Sequence, residues 1–148
     1  MGIKLLDKMP EIERQKEYLI KGFEDDLEPS KVVFKKFSHC DKTVINLLKI
    51  KANKLINYEK LKEFTKQNPE NKTVSVLDFI EEKEQYIKII TDLNEKILSA
   101  SVVSFDGEII KDHKSFYNNI CDVYAIKKMV EAAEEFNEEA GVAQAAKN

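Results

Sequence analysis

The stretch VLDFIEEKEQYIKIITDLNEKILSAS, Val76 to Ser101, places Val76, Phe79, Ile80, Ile87, Ile90, Leu93 and Ile97 at the i, i+3/i+4, i+7 spacing of one helix face. Glu81, Glu82, Lys83, Glu84, Lys88, Asp92 and Glu95 fall mostly opposite. The spacing predicts one long amphipathic helix of roughly seven turns. Such a stripe is stable only when other elements cover it, so the helix is expected at the centre of the fold with its neighbours packed onto it.

The 148 residues suit one domain, able to bury about two-thirds of its unfolded surface. Charged residues make up 34% against four Gly and three Pro, a balance that favours helices over a turn-rich β fold. The expectation is therefore a mainly α, single helical domain over residues 1–148, with a small β element and frayed ends at 1–9 and 142–148.

On the N-terminal side of that helix, Pro10 opens a pattern with Ile12, Leu19, Ile20 and Phe23, predicting a helix from about 10 to 23 that Pro29 closes off. Residues 31–37, KVVFKKF, are β-branched and aromatic and predict a strand. Asp41 or Thr43 is expected to cap a helical pattern running through Leu47, Leu55 and Phe64, either continuous or broken near Asn53 to Asn57. Ser75 with Asp78 resembles a capping box at the start of the central helix.

On the C-terminal side, Asp106-Gly107 sits between two short apolar runs, a hairpin signal for a second β segment at 101–110. A short helix is expected within 111–121. A last helix, capped by Asp122, is expected to stop at Gly141.

The net charge of -3 is unevenly placed. Residues 1–30 carry 5 basic and 8 acidic side chains, 31–72 carry 11 and 4, and 73–148 carry 8 and 15. Two solvated faces of opposite sign account for this pattern. Arg14 is the only arginine, which argues against nucleic-acid recognition.

Cys40 and Cys121 cannot build a disulfide framework, and no apolar run approaches the ~20 residues of a membrane span. The first residues fit neither a signal peptide nor, lacking Ser or Thr at position 6, the myristoylation pattern. A reduced, cytoplasmic protein is expected.

His39, Cys40, His113 and Cys121 lack the local chelate spacing of a zinc site, so they are read as two buried or half-buried thiols and two surface histidines. The acids around Asp106 do not follow an EF-hand frame, and no phosphate-loop, dinucleotide or metalloprotease motif occurs. No enzyme, metal or cofactor is expected.

Residues 76–148 together have a recognisable layout: a charged amphipathic helix, a β-prone run at Ser101 to Phe105, Asp106-Gly107, the extended Glu108-Ile109-Ile110, a group at Asp112 to Asn119, a final helix and a Lys147-Asn148 ending. This order resembles the small tail assembly chaperones of long-tailed bacteriophages. It departs from them at Val103-Ser104-Phe105, where those proteins often carry Trp-Asp.

The resemblance implies a binder that coats a helical tape-measure protein until tube subunits displace it. Such a protein needs an exposed apolar strip rimmed by charge, in a homo-oligomer or gripping a helix. The candidates for that strip are Tyr86, Ile89, Ile126, Met129, Val130 and Phe136. The alternative is a phage or mobile-element inhibitor of a host defence nuclease, docking through Lys49, Lys51, Lys54, Lys60, Lys62 and Lys66. A structural connector subunit is the third class.

Overall fold

A computed structural model describes Leu5, Asp7, Met9 and residues 14–24, 27–70 and 75–147, with side chains to Glu138. The protein is mainly α with a small antiparallel sheet, as its composition implies. The expectation of one domain meets a chain whose contacts cluster into two compact units, 1–42 with 94–148, and 43–93.

In the first unit, β1 (Gln15–Ile20), β2 (Ser30–Lys35), β3 (Val102–Phe105) and β4 (Glu108–Ile109) form a sheet in the order β1-β2-β3-β4. β1 replaces the helix expected over 10–23, of which residues 10–13 lie outside the described residues. The reason is non-local. Gln15 to Ile20 pair residue by residue with Lys35 to Ser30, and this ladder overrides the local helical spacing.

β2 confirms the strand expected at 31–37, shifted to Ser30–Lys35. Its Val32 and Phe34 are completely buried, and a register shift at Val33/Phe34 interrupts its pairing with β3.

The β3–β4 hairpin turns on Asp106 (φ 48°) and Gly107 (φ 86°), the paired positive φ that a two-residue hairpin of this twist requires. Lys31 N–H donates to Asp106 Oδ1 at 2.8 Å and Asp106 N–H donates to the Lys31 carbonyl at 2.7 Å, tying the turn to β2.

Two further helices of this unit are α4 (His113–Asn119) and α5 (Val123–Lys147), numbered after α1 (His39–Lys54), α2 (Tyr58–Gln67) and α3 (Lys83–Ser101). α5 packs on β1 and β2, with Phe136 in ring contact with Tyr18, and its Met129, Ala132, Ala133 and Phe136 are buried, as are Phe34, Ile97, Leu98 and Val102 of the same unit. Gly141 does not stop α5. One helical glycine costs roughly 1 kcal/mol against alanine, too little to end a run so rich in Ala and Glu. Residues 142–147, expected to fray, continue α5, while Asn148 and most of 1–9 lie outside the described residues.

The second unit holds most of α1 (His39–Lys54), all of α2 (Tyr58–Gln67), a 3₁₀ turn at Val76–Phe79 and the first half of α3 (Lys83–Ser101). The break expected near Asn53 to Asn57 is present: Asn57 caps α2 by accepting from Lys60 N–H at 3.1 Å. α1 starts at His39, with Ser38 rather than Asp41 or Thr43 as its cap; Ser38 Oγ accepts from Asp41 N–H at 3.1 Å.

No single helix spans Val76 to Ser101. Ile80 is extended (φ -122°, ψ 124°), buried, and bridged to Ile56, while Asn57 N–H donates to the Phe79 carbonyl at 2.8 Å. That cross-link pulls residues 76–80 out of the helix. Ser75 caps the 3₁₀ turn through Leu77 N–H instead of a long helix.

Candidate functional site

Asp122 lines an apolar opening in the first unit. Its Oδ1 accepts from Ala125 N–H at 3.1 Å, capping α5, and its Oδ2 accepts from Phe23 N–H at 2.9 Å. One carboxylate therefore joins the β1–β2 connection to the start of α5. The Phe23 bond first, then the Ala125 bond, hold its carboxyl below the ordinary 3.8. Gly22 makes the approach feasible, because a Cβ there would lie 2.6 Å from Asp122 Oδ2.

Beside this joint lies a cleft of about 490 Å³. The end of β1 supplies Ile20, the β1–β2 connection Leu27, the end of β3 Phe105, and α4 with its exit Phe116 and Ile120. Met129 and Ala125 of α5 close it from the helix side. Phe105 and Phe116 face each other with ring centres 5.4 Å apart. Phe23 and Tyr124 pair at 6.3 Å, and Phe23, Leu27 and Val123 are 78%, 59% and 77% exposed. Among the described residues, the charged members of the lining are the acids Glu28 and Asp122.

Chemically the lining offers one thiol, Cys121, and the carboxylates of Glu28 and Asp122, with no histidine, lysine or arginine among its described residues. Both cysteines are exposed, a correction to their reading as buried or half-buried groups. His39 is exposed, whereas His113 is half-buried, its Nε2 2.7 Å from the Val102 carbonyl. Among the described residues no group of three or more His, Cys, Asp or Glu is placed to hold a metal ion. Nor is any helix there long and apolar enough to cross a membrane.

The chain matches no protein-family model, no curated protein and no solved structure.

The residues expected to bind a partner are divided between the two units. Tyr86 and Ile89 are half-buried on α3 in the second unit. On α5, Ile126 and Val130 are half-buried, while Met129 and Phe136 are 1% and 4% exposed. Phe136 is a core residue in ring contact with Tyr18, so a partner cannot reach it without displacing α5. Met129 meets the cleft as part of its lining.

Among the lysines, Lys51, Lys54, Lys60, Lys62 and Lys66 are exposed on α1 and α2, and Lys49 is half-buried. Sequence reading missed the remaining cleft residues, Ile20, Leu27, Phe105, Phe116 and Ile120. The available signal was the pair of landmarks Asp106-Gly107 and Asp122, which bracket α4 and bring its aromatic side chains to the sheet.

Proposed function

We propose that this protein acts by binding another protein rather than by catalysis, and that the cleft beside Asp122 is the contact. The carrying observation is the cleft itself: an apolar recess of about 490 Å³ lined by Leu27, Phe105, Phe116, Ile120 and Met129, with exposed Phe23 and Val123 next in the chain to its lining residues Gly22 and Asp122. Large aromatic and aliphatic anchors around a recess are what a protein-binding hot spot requires. The resemblance of residues 76–148 to phage tail assembly chaperones names the partner as a helical tape-measure protein, met in the cytoplasm of the bacterial host. An apolar helix stripe would insert its side chains between Phe23, Leu27 and Phe116.

Co-expression of the chain with the tape-measure protein of the same tail cluster tests this reading. Soluble tape-measure protein that falls out of solution when Leu27→Glu replaces the wild type is the expected result. Insolubility with either chain would defeat it. A second reading, the inhibitor of a defence nuclease, draws support from the exposed Lys51, Lys54, Lys60, Lys62 and Lys66. It expects binding to an acidic nuclease surface that weakens steeply with salt.

A further inference from the structure

In the second unit, α1 carries apolar residues on two sides. Ile45 and Ala52 are buried, and with half-buried Leu48 they mark the side that faces the interior. Leu47, Ile50, Lys51 and Lys54 fall at i, i+3, i+4 and i+7, which gives them a common face turned away from Ile45 and Ala52. Leu47 and Ile50 are 52% and 50% exposed, and both lysines are exposed beside them. The outer face of α1 is therefore an aliphatic ridge flanked by ammonium groups.

This ridge runs into a recess of about 590 Å³, because Lys54 belongs to both. Leu55, Ile56, Tyr58 and Phe79 give the recess its apolar lining, and Glu59, Glu81 and Glu82 set three carboxylates in it against the one ammonium. Its walls are fixed in advance. Asn57 N–H donates to the Phe79 carbonyl at 2.8 Å, and Ile56 is bridged to Ile80. The Phe79 ring meets Phe64 with centres 5.7 Å apart, and Tyr58 Oη donates to Asn53 Oδ1 at 3.1 Å. A recess held in this way gives up little freedom when it is filled.

Ridge and recess match in apolar character and are opposite in charge, yet a chain cannot seat its own ridge in its own recess, since both are fixed to α1. A two-fold pairing requires one patch that is complementary to itself, and a basic ridge adjoining an acidic recess is such a patch. We propose that a second copy of this chain is the occupant, the α1 ridge of each copy seating in the recess of the other, with the two-fold axis at the junction of ridge and recess. Leu47 and Ile50 then leave water, and Lys51 of each copy meets Glu81 and Glu82 of the other. The pairing does not depend on the cleft beside Asp122, which belongs to the first unit.

Sedimentation equilibrium of the full chain from about 1 µM to about 1 mM tests this, because a dimer population follows mass action. A reversible monomer–dimer equilibrium is expected, and Leu47→Glu, at an exposed position, should weaken it roughly tenfold or more. Lys51→Glu/Lys54→Glu and Glu81→Lys/Glu82→Lys should each weaken self-association, whereas a mixture of the two variants should form a heterodimer, since each ridge then meets a recess of opposite charge. Leu27→Glu should dimerise as the wild type does. A monomer throughout the range, association that runs past the dimer, a dimer indifferent to Leu47→Glu or lost in Leu27→Glu, or a mixture no more associated than its two components would overturn the inference.

Discussion

Asp122 does two things with two oxygens, and its neighbours record the constraint. Oδ1 caps α5 and Oδ2 holds Phe23 N–H, with Gly22 leaving the space. Asp122→Ala should lower Tm by about 3 °C, as loss of a helix cap does in a chain of this size. Gly22→Ala should also lower Tm, because the carboxylate must move off Phe23 N–H. Thermal melts of the two single variants and the double variant check both. If the effects arise from one joint, the double variant loses less than the two single losses added together.

The same carboxylate sets an acid dependence. Asp122 and Asp41 are both held below the ordinary 3.8, so near that pH the folded chain binds fewer protons than the unfolded one. Their stabilisation is present above about pH 3.8 and is lost as pH falls through their folded values. Melts between about pH 6 and pH 3 should show Tm falling fastest below 4, and Asp122→Asn should flatten that fall.

At the scale of the element, what the sequence made legible was local. Asp106-Gly107 carries its turn chemistry in two adjacent residues, and both adopt the positive φ it demands. Gly107→Val should therefore cost about 1–3 kcal/mol, measured as a shift in denaturant midpoint at constant slope. Asp122 as a cap and the break before Tyr58 were legible for the same reason: side-chain caps act within three residues.

β1 was not legible. Gln15 to Ile20 have no alternating burial strong enough to read, and their strand state comes from β2, ten residues on. Nor was the interruption of the 76–101 helix, because Ile80 fits the helical stripe and leaves it only to pair with Ile56. By contrast Phe34, completely buried in β2, is a local strand residue doing a global job. Phe34→Ala should cost about 3–5 kcal/mol. That is a large part of the 5–15 kcal/mol typical of such domains, and equilibrium unfolding would reveal it.

Across the whole molecule, the cleft was the least legible feature. Its described lining comes from Ile20, Gly22, Leu27, Glu28 and Ser30, from Phe105, and from residues of α4, its exit and α5, and only folding of the sheet brings these together. Periodicity identified α5 as apolar, which led to Met129 and Phe136 as surface candidates. Burial in the first unit instead places Phe136 in the core and Met129 in the cleft lining. The exposed lysines of α1 and α2 were legible from charge alone, since solvated charge needs no partner element.

The central claim is that the cleft, not a catalytic group or the lysine face, makes the functional contact. Calorimetric titration of a purified tape-measure helix segment into the wild type, Leu27→Glu, and a Lys60→Glu/Lys62→Glu variant tests it most directly. The account predicts binding to the wild type and the lysine variant within about threefold of each other, with Leu27→Glu weakened at least tenfold, as truncation of a hot spot does. Equal binding by Leu27→Glu and wild type, or loss of binding only in the lysine variant, would contradict it.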